Sequence, residues 1–172
     1  MLPELGFTSL ALALMLSLLL SVLPLVGAHR GQSAWMATAR PLSYALLLVV
    51  SVSYALLTWA FLQHDFSVAY VAQNSNTLLP VAYQFTAVWG AHEGSLLLWV
   101  LILCAWIAAV GVFSKALPEA VVARVLAVMG MVALGFIAFT LFTSNPFERL
   151  LPAPPEGRDM NPLLQDPGMI FH

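Results

Sequence analysis

The chain is predicted to be all-α, a polytopic integral membrane protein with four transmembrane helices, and three observations carry that prediction. Hydrophobic residues make up 61% of the 172 positions and charged ones only 8%, far from the balance of a soluble domain. Four long apolar runs are each of a length that crosses a hydrocarbon core about 30 Å thick. The six basic residues fall mostly in the short intervals between runs one and two and between runs three and four.

The first span is expected over residues 5–26, with Pro24 kinking or stopping it because proline removes a backbone donor and crowds the preceding turn. The start, Met1-Leu-Pro-Glu4, carries an acid where a signal peptide carries lysine or arginine, so this run is expected to be retained as a span. His29, Arg30, Gly31 and Gln32 read as a polar loop. The second span, 41–62, is entered through Arg40-Pro41, since a proline suits the first helical turn.

A long polar loop follows at 63–95, centred on Gln73-Asn-Ser-Asn-Thr77 with Tyr70, Tyr83, Phe85 and Trp89 around it; loops of this length are usually functional. Ser95 is the expected N-cap of the third span, 96–113. The fourth, 121–142, has Arg124 close enough to its start to snorkel to the interface and ends before Asn145-Pro146. The tail, 143–172, is too rich in proline to span, and Asp166-Pro-Gly168 signals a turn. Arg30, Arg40, Lys115 and Arg124 mark the inside, which places both termini, the 63–95 loop and the tail outside. Arg149 and Arg158 count against this orientation, but both lie in the tail and not in a short return loop.

Composition narrows function as well. A net charge of −2 gives no reason to expect nucleic acid, leaving cofactor, lipid or protein as partners. Cys104 is the only cysteine and sits inside an apolar run, so the chain has neither an internal disulfide nor a Cys-x-x-Cys pair.

The stretch Trp89-Gly-Ala-His-Glu-Gly-Ser-Leu-Leu-Leu-Trp99 places two ionisable residues, His92 and Glu93, at the lip of a membrane segment. The second histidine of His-Glu-x-x-His is missing, which leaves a zinc protease site unsupported. Two readings stay open: an interfacial pair hydrogen-bonded to its loop, or a contact for haem or a partner. Trp35, Trp59, Trp99 and Trp106 read as interface anchors, while Trp89 can either anchor or stack on a planar ligand. His29 and His64 read as headgroup-level residues. His172 follows Met169-Ile-Phe171 and is either a plain terminal residue or an axial nitrogen for haem iron.

Four motifs in order, Tyr70-Val-Ala-Gln-Asn-Ser-Asn-Thr77, the Trp89–Trp99 stretch, Thr143-Ser-Asn-Pro-Phe147 and Gly157-Arg-Asp-Met-Asn-Pro-Leu-Leu-Gln-Asp-Pro-Gly168, closely resemble the N-terminal part of the CcmF family. The resemblance covers essentially the whole chain and implies a haem lyase subunit of cytochrome c maturation, multi-pass in the bacterial inner membrane, with loop and tail periplasmic. It further implies haem as cofactor, received from a covalent haem chaperone and attached through its vinyl groups to the Cys-x-x-Cys-His thiols of apocytochrome c. Thiol-handling maturation subunits and the remainder of the haem lyase subunit are the other implied partners. His172 matches the position of a periplasmic axial ligand, though the proline pair that follows it in the family is absent. Family members are much longer and carry a tryptophan-rich segment and further histidines, so this piece alone is not expected to be catalytic. Trp89, His92, Glu93, Asn74 and Asn76 are the expected haem or chaperone docking surface. The rival expectation is a structural or transport-type subunit that holds a complex together without binding cofactor, consistent with spans that carry no carboxylate or histidine at mid-depth.

Overall fold

Residues 1–161 are described by a computed structural model, in which secondary structure is helical apart from one isolated bridge between Val68 and Arg149. Four helices are long and apolar enough to cross a membrane: α1 (Leu2–Arg30), α3 (Ala39–Leu62), α6 (His92–Phe113) and α7 (Glu119–Thr143). Three short ones, α2 (Ser33–Met36), α4 (Ala69–Asn74) and α5 (Val81–Ala87), lie in the connections.

The long helices pack in a ring, with α1 against both α3 and α7, α3 against α6, and α6 against α7. Their shared interior is filled by Leu10, Leu20, Leu46, Val50, Leu57, Leu97, Ile107, Leu126 and Ile137, all fully buried. Buried serines and threonines return their hydroxyls to helix carbonyls, as in Ser21 Oγ to Ser17 O at 2.6 Å and Ser53 Oγ to Gly6 O at 3.1 Å. Small residues of this kind let apolar helices approach closely where lipid gives no hydrophobic drive. Large apolar side chains such as Leu12, Leu48 and Val128 point outward instead, the inverse of a soluble surface.

Several element boundaries differ from the expected ones. Pro24 does not stop α1, which runs on until Gly31 turns left-handed at φ 66°, a conformation glycine adopts without a Cβ penalty. His29 and Arg30 are therefore its last turn and not loop, with cationic charge where the helix dipole is negative. The third span, α6, begins at His92, with Ala91 as its N-cap. Ser95 lies within its first turn, its N–H bonded to Ala91 O at 3.0 Å.

The two ends of the bundle differ in charge. At one end, Arg40 Nε donates to Gly111 O at 3.0 Å and Arg40 Nη2 to Ser114 O at 3.2 Å, satisfying carbonyls at the end of α6. Arg124, expected to snorkel, donates to Ala28 O near the end of α1 at 3.3 Å. Each arginine thus caps the C-terminus of a neighbouring helix. At the other end Arg149 pairs with Glu4 at 3.1 Å, tying the start of α1 to the chain beyond α7. Asp65, Glu93, Glu148, Glu156 and Asp159 sit on segments of this same end.

Candidate functional site

Over the second end lies a polar layer built from the α3–α6 connection and residues 144–161. Tyr70, on α4, is its hub. The Tyr70 hydroxyl accepts from Ala91 N at 3.2 Å and lies 3.1 Å from Val88 O, so one phenol holds both sides of the turn that carries Trp89. Burial pushes this hydroxyl above the ordinary tyrosine range; the Ala91 N–H opposes the shift, and the Glu93 carboxylate adds to it. It therefore stays protonated and can donate to Val88 O. Phe61 meets the tyrosine ring edge-on at 5.4 Å.

Gly94 makes this closure possible. A Cβ there would lie 1.7 Å from Val88 O and 2.7 Å from the Tyr70 hydroxyl, so only glycine lets the first turn of α6 come this near.

His92 and Glu93 occupy that first turn, where an acid complements the helix dipole. The His92 Nε2 is hydrogen-bonded to Ser144 Oγ at 2.9 Å, and its ring stands edge-on to Phe139 at 6.3 Å. These contacts link the start of α6 to the end of α7. Glu93 has neither a hydrogen-bond nor an ion-pair partner among the described residues. Trp89 is half-buried and meets Phe85 edge-on at 6.3 Å.

The asparagines face a different set of partners. Asn74 Nδ2 donates to Tyr70 O at 2.9 Å within its own helix, and Asn76 Nδ2 donates to Asp159. Beside them Glu156 accepts from Thr77 N at 3.0 Å and Thr77 Oγ1 at 2.8 Å. Those two bonds, with a third from Gly157 N, hold the Glu156 carboxyl below its ordinary range. Further anchoring comes from Ala69 N to Glu148 O at 2.8 Å, Leu150 N to Ser67 O at 2.8 Å and Arg158 N to Ala72 O at 2.7 Å. Phe147 is buried over Gly6, and Met160 is buried as well. The segment after α7 is thus seated on the loop as a strap.

His92 is thus tied to Ser144, Asn74 bonds back within its own helix, and Asn76 is tied to the strap through Asp159. His172 lies outside the described residues. Tyr70, Thr77 and Ser144 fall inside quoted motifs without their partners being evident there, and Glu156 lies outside all of those motifs. Among the described residues no group of three or more His, Cys, Asp or Glu side chains gathers to hold a metal ion. The two clefts along the strap, about 400 and 360 Å³, are lined by residues such as Gln73, Pro154, Thr77 and Asp159, with no imidazole.

Fold and site together define a helical multi-pass membrane protein with a structured polar layer at one end. Residues 89–172 match the family described as "Cytochrome C assembly protein". The chain is 60% identical to the cytochrome c-type biogenesis protein CcmF of Pseudomonas aeruginosa, over all of this chain and 26% of that protein. It is 57% identical to the CcmF of Escherichia coli strain K12, over all of this chain and 27% of that protein. A solved structure titled "Cytochrome c Heme Lyase CcmF" superposes with a TM-score of 0.81 at 33% identity, covering 86% of this chain and 25% of that one. The chain belongs to the CcmF family and spans about a quarter of the length of the relatives it matches.

Proposed function

We propose that this chain forms the N-terminal membrane part of a cytochrome c haem lyase in the bacterial inner membrane, with the Tyr70 layer facing the periplasm. Arg30, Arg40, Lys115 and Arg124 all lie at the opposite end, as the positive-inside rule asks of a cytoplasmic face. The layer receives haem from a haem chaperone and helps place it for thioether attachment to apocytochrome c, beside thiol-handling maturation subunits and the rest of the haem lyase subunit.

The single observation that carries this reading is the strap. Residues 144–160 are fixed onto the loop and the start of α6 by bonds involving Ser144, Glu148, Leu150, Glu156 and Arg158, so the described chain ends at this end of the bundle. The described residues do not enclose a haem by themselves. His92 is engaged by Ser144, and among the described residues no group of three or more ligating side chains gathers, so these residues fit a supporting wall, with Trp89 as an aromatic face and His172 as the iron ligand. Haem brings the iron and the vinyl groups that react; this chain holds, orients and screens.

Replacing His172 by alanine in the complete assembly is expected to lower cytochrome c maturation, and added imidazole to restore part of it by filling the axial position. Full maturation by His172→Ala removes His172 as the ligand. A second reading, a scaffold that binds no cofactor, rests on His92 being engaged by Ser144 within the bundle. A Soret band that is unchanged when this chain is omitted from the assembly supports that second reading.

A further inference from the structure

The outer surface between α6 and α7 carries an apolar groove that the packing of the four helices leaves open. Trp99 and Trp106 on α6 face Val132 and Phe136 on α7 across a hollow of about 420 Å³. A second hollow of about 440 Å³ shares Val132 and Phe136 and extends to Phe139, the residue that contacts His92. Both tryptophans are mostly uncovered, at 63% and 65% exposure.

The tryptophans lie toward opposite ends of α6 and lean in the same direction along it. At 1.5 Å per residue each lies about 10 Å inside one end of α6. Helical side chains tilt toward the N-terminus, so Trp99 leans back toward the polar layer while Trp106 leans further into the span. Trp99 is thereby an ordinary interface anchor. Trp106 is not.

No hydrogen bond to the Trp106 indole N–H exists among the described residues. Lipid tails offer no acceptor, and a donor left unpaired inside the span is unfavourable. Beside the groove, Gly135 has nothing within 4 Å of the place a Cβ would take, which lets another backbone approach closely. The relatives matched over this whole chain are about four times as long, so most of their membrane protein lies beyond it.

We propose that this groove seats a membrane helix from the part of the protein beyond this chain, one that presents a hydroxyl or carbonyl oxygen to the Trp106 indole. The inference rests on membership of a longer membrane protein and is independent of haem ligation. It also gives the His92–Ser144 tie a role: joining α6 to α7 at one end sets the width of the groove below it.

The test uses the complete protein with Cys104→Ser, reconstituted in phosphatidylcholine–phosphatidylglycerol vesicles, with single nitroxide-labelled cysteines. Val132→Cys and, as a second variant, Phe136→Cys should show oxygen accessibility several-fold below that of the lipid-facing reference Leu48→Cys. A photo-crosslinker replacing Trp106 should join to a membrane segment later in the same chain. Accessibility at both groove positions equal to that at Leu48, or crosslinks only to lipid or to a second copy, overturns the proposal. Neither readout depends on maturation activity, so a failed haem assignment leaves this test intact.

Discussion

Tyr70→Phe removes one oxygen and keeps the ring, which isolates the role of the hub. The hydroxyl accepts the Ala91 N–H at 3.2 Å and lies 3.1 Å from Val88 O. The edge-on contact with Phe61 at 5.4 Å survives the change. What is lost is a partner for one partly buried N–H and one carbonyl, worth about 1–2 kcal/mol after discounting for partial exposure. That corresponds to roughly a 5- to 30-fold rise in the open form of the Trp89 turn. Amide exchange of the peptide covering residues 88–95, followed by mass spectrometry on the complete protein in detergent, reads this rise directly. Tyr44→Phe serves as the control, because no hydrogen bond to its hydroxyl is present among the described residues. Exchange at 88–95 within twofold of the wild type in Tyr70→Phe refutes the hub reasoning.

Gly94→Ala is expected to destabilise the same region by at least 1–3 kcal/mol, roughly the usual cost of overpacking, because the obstruction is the Val88 backbone oxygen; a melting temperature equal to that of Ser95→Ala contradicts it. Arg40→Ala leaves the Gly111 and Ser114 carbonyls without their cap, and a loss of about 1–2 kcal/mol in thermal unfolding is expected, only partly recovered by Arg40→Lys, which lacks the planar fork. The bonds from Thr77 and Gly157 depress the Glu156 carboxyl, so its contribution to seating the strap is present above the ordinary glutamate range and is lost as pH falls through the lowered folded value. The protection factor of the Thr77 amide, taken relative to its intrinsic exchange rate at each pH, should therefore fall on acidification below that range, and Glu156→Gln should abolish this dependence.

The four apolar runs were legible because bilayer length and hydropathy leave few alternatives for such segments. Boundaries were less so. Gly94-Ser95 resembles a loop followed by an N-cap, yet Ala91 is extended at φ −135° and α6 starts at His92, because the close approach of Gly94 to Val88 lets the helix begin earlier. At α1, Pro24 drew attention as a stop while the stronger signal, Gly31 after two basic residues, stood seven positions on. Gln73 to Thr77 was recognisable as polar and turn-rich, but its partners were not. Thr77 and Glu156 are 79 residues apart, and no local pattern announces a pairing at that distance. The Tyr70 hub was hidden for the same reason, since its hydroxyl reaches 21 residues along the chain to Ala91.

The account depends most on which side of the membrane the Tyr70 layer faces, since haem acceptance and the role of His172 both follow from it. Leu78 is the most exposed large hydrophobic side chain of that layer, at 91%, and Lys115 marks the opposite end. In intact cells carrying the complete protein with Cys104→Ser, a membrane-impermeant maleimide should label Leu78→Cys once the outer membrane is opened, and Lys115→Cys only after the inner membrane is broken. Labelling of Lys115→Cys from the periplasm, with Leu78→Cys protected until the cytoplasm is reached, contradicts the assignment of this layer as the haem-handling face.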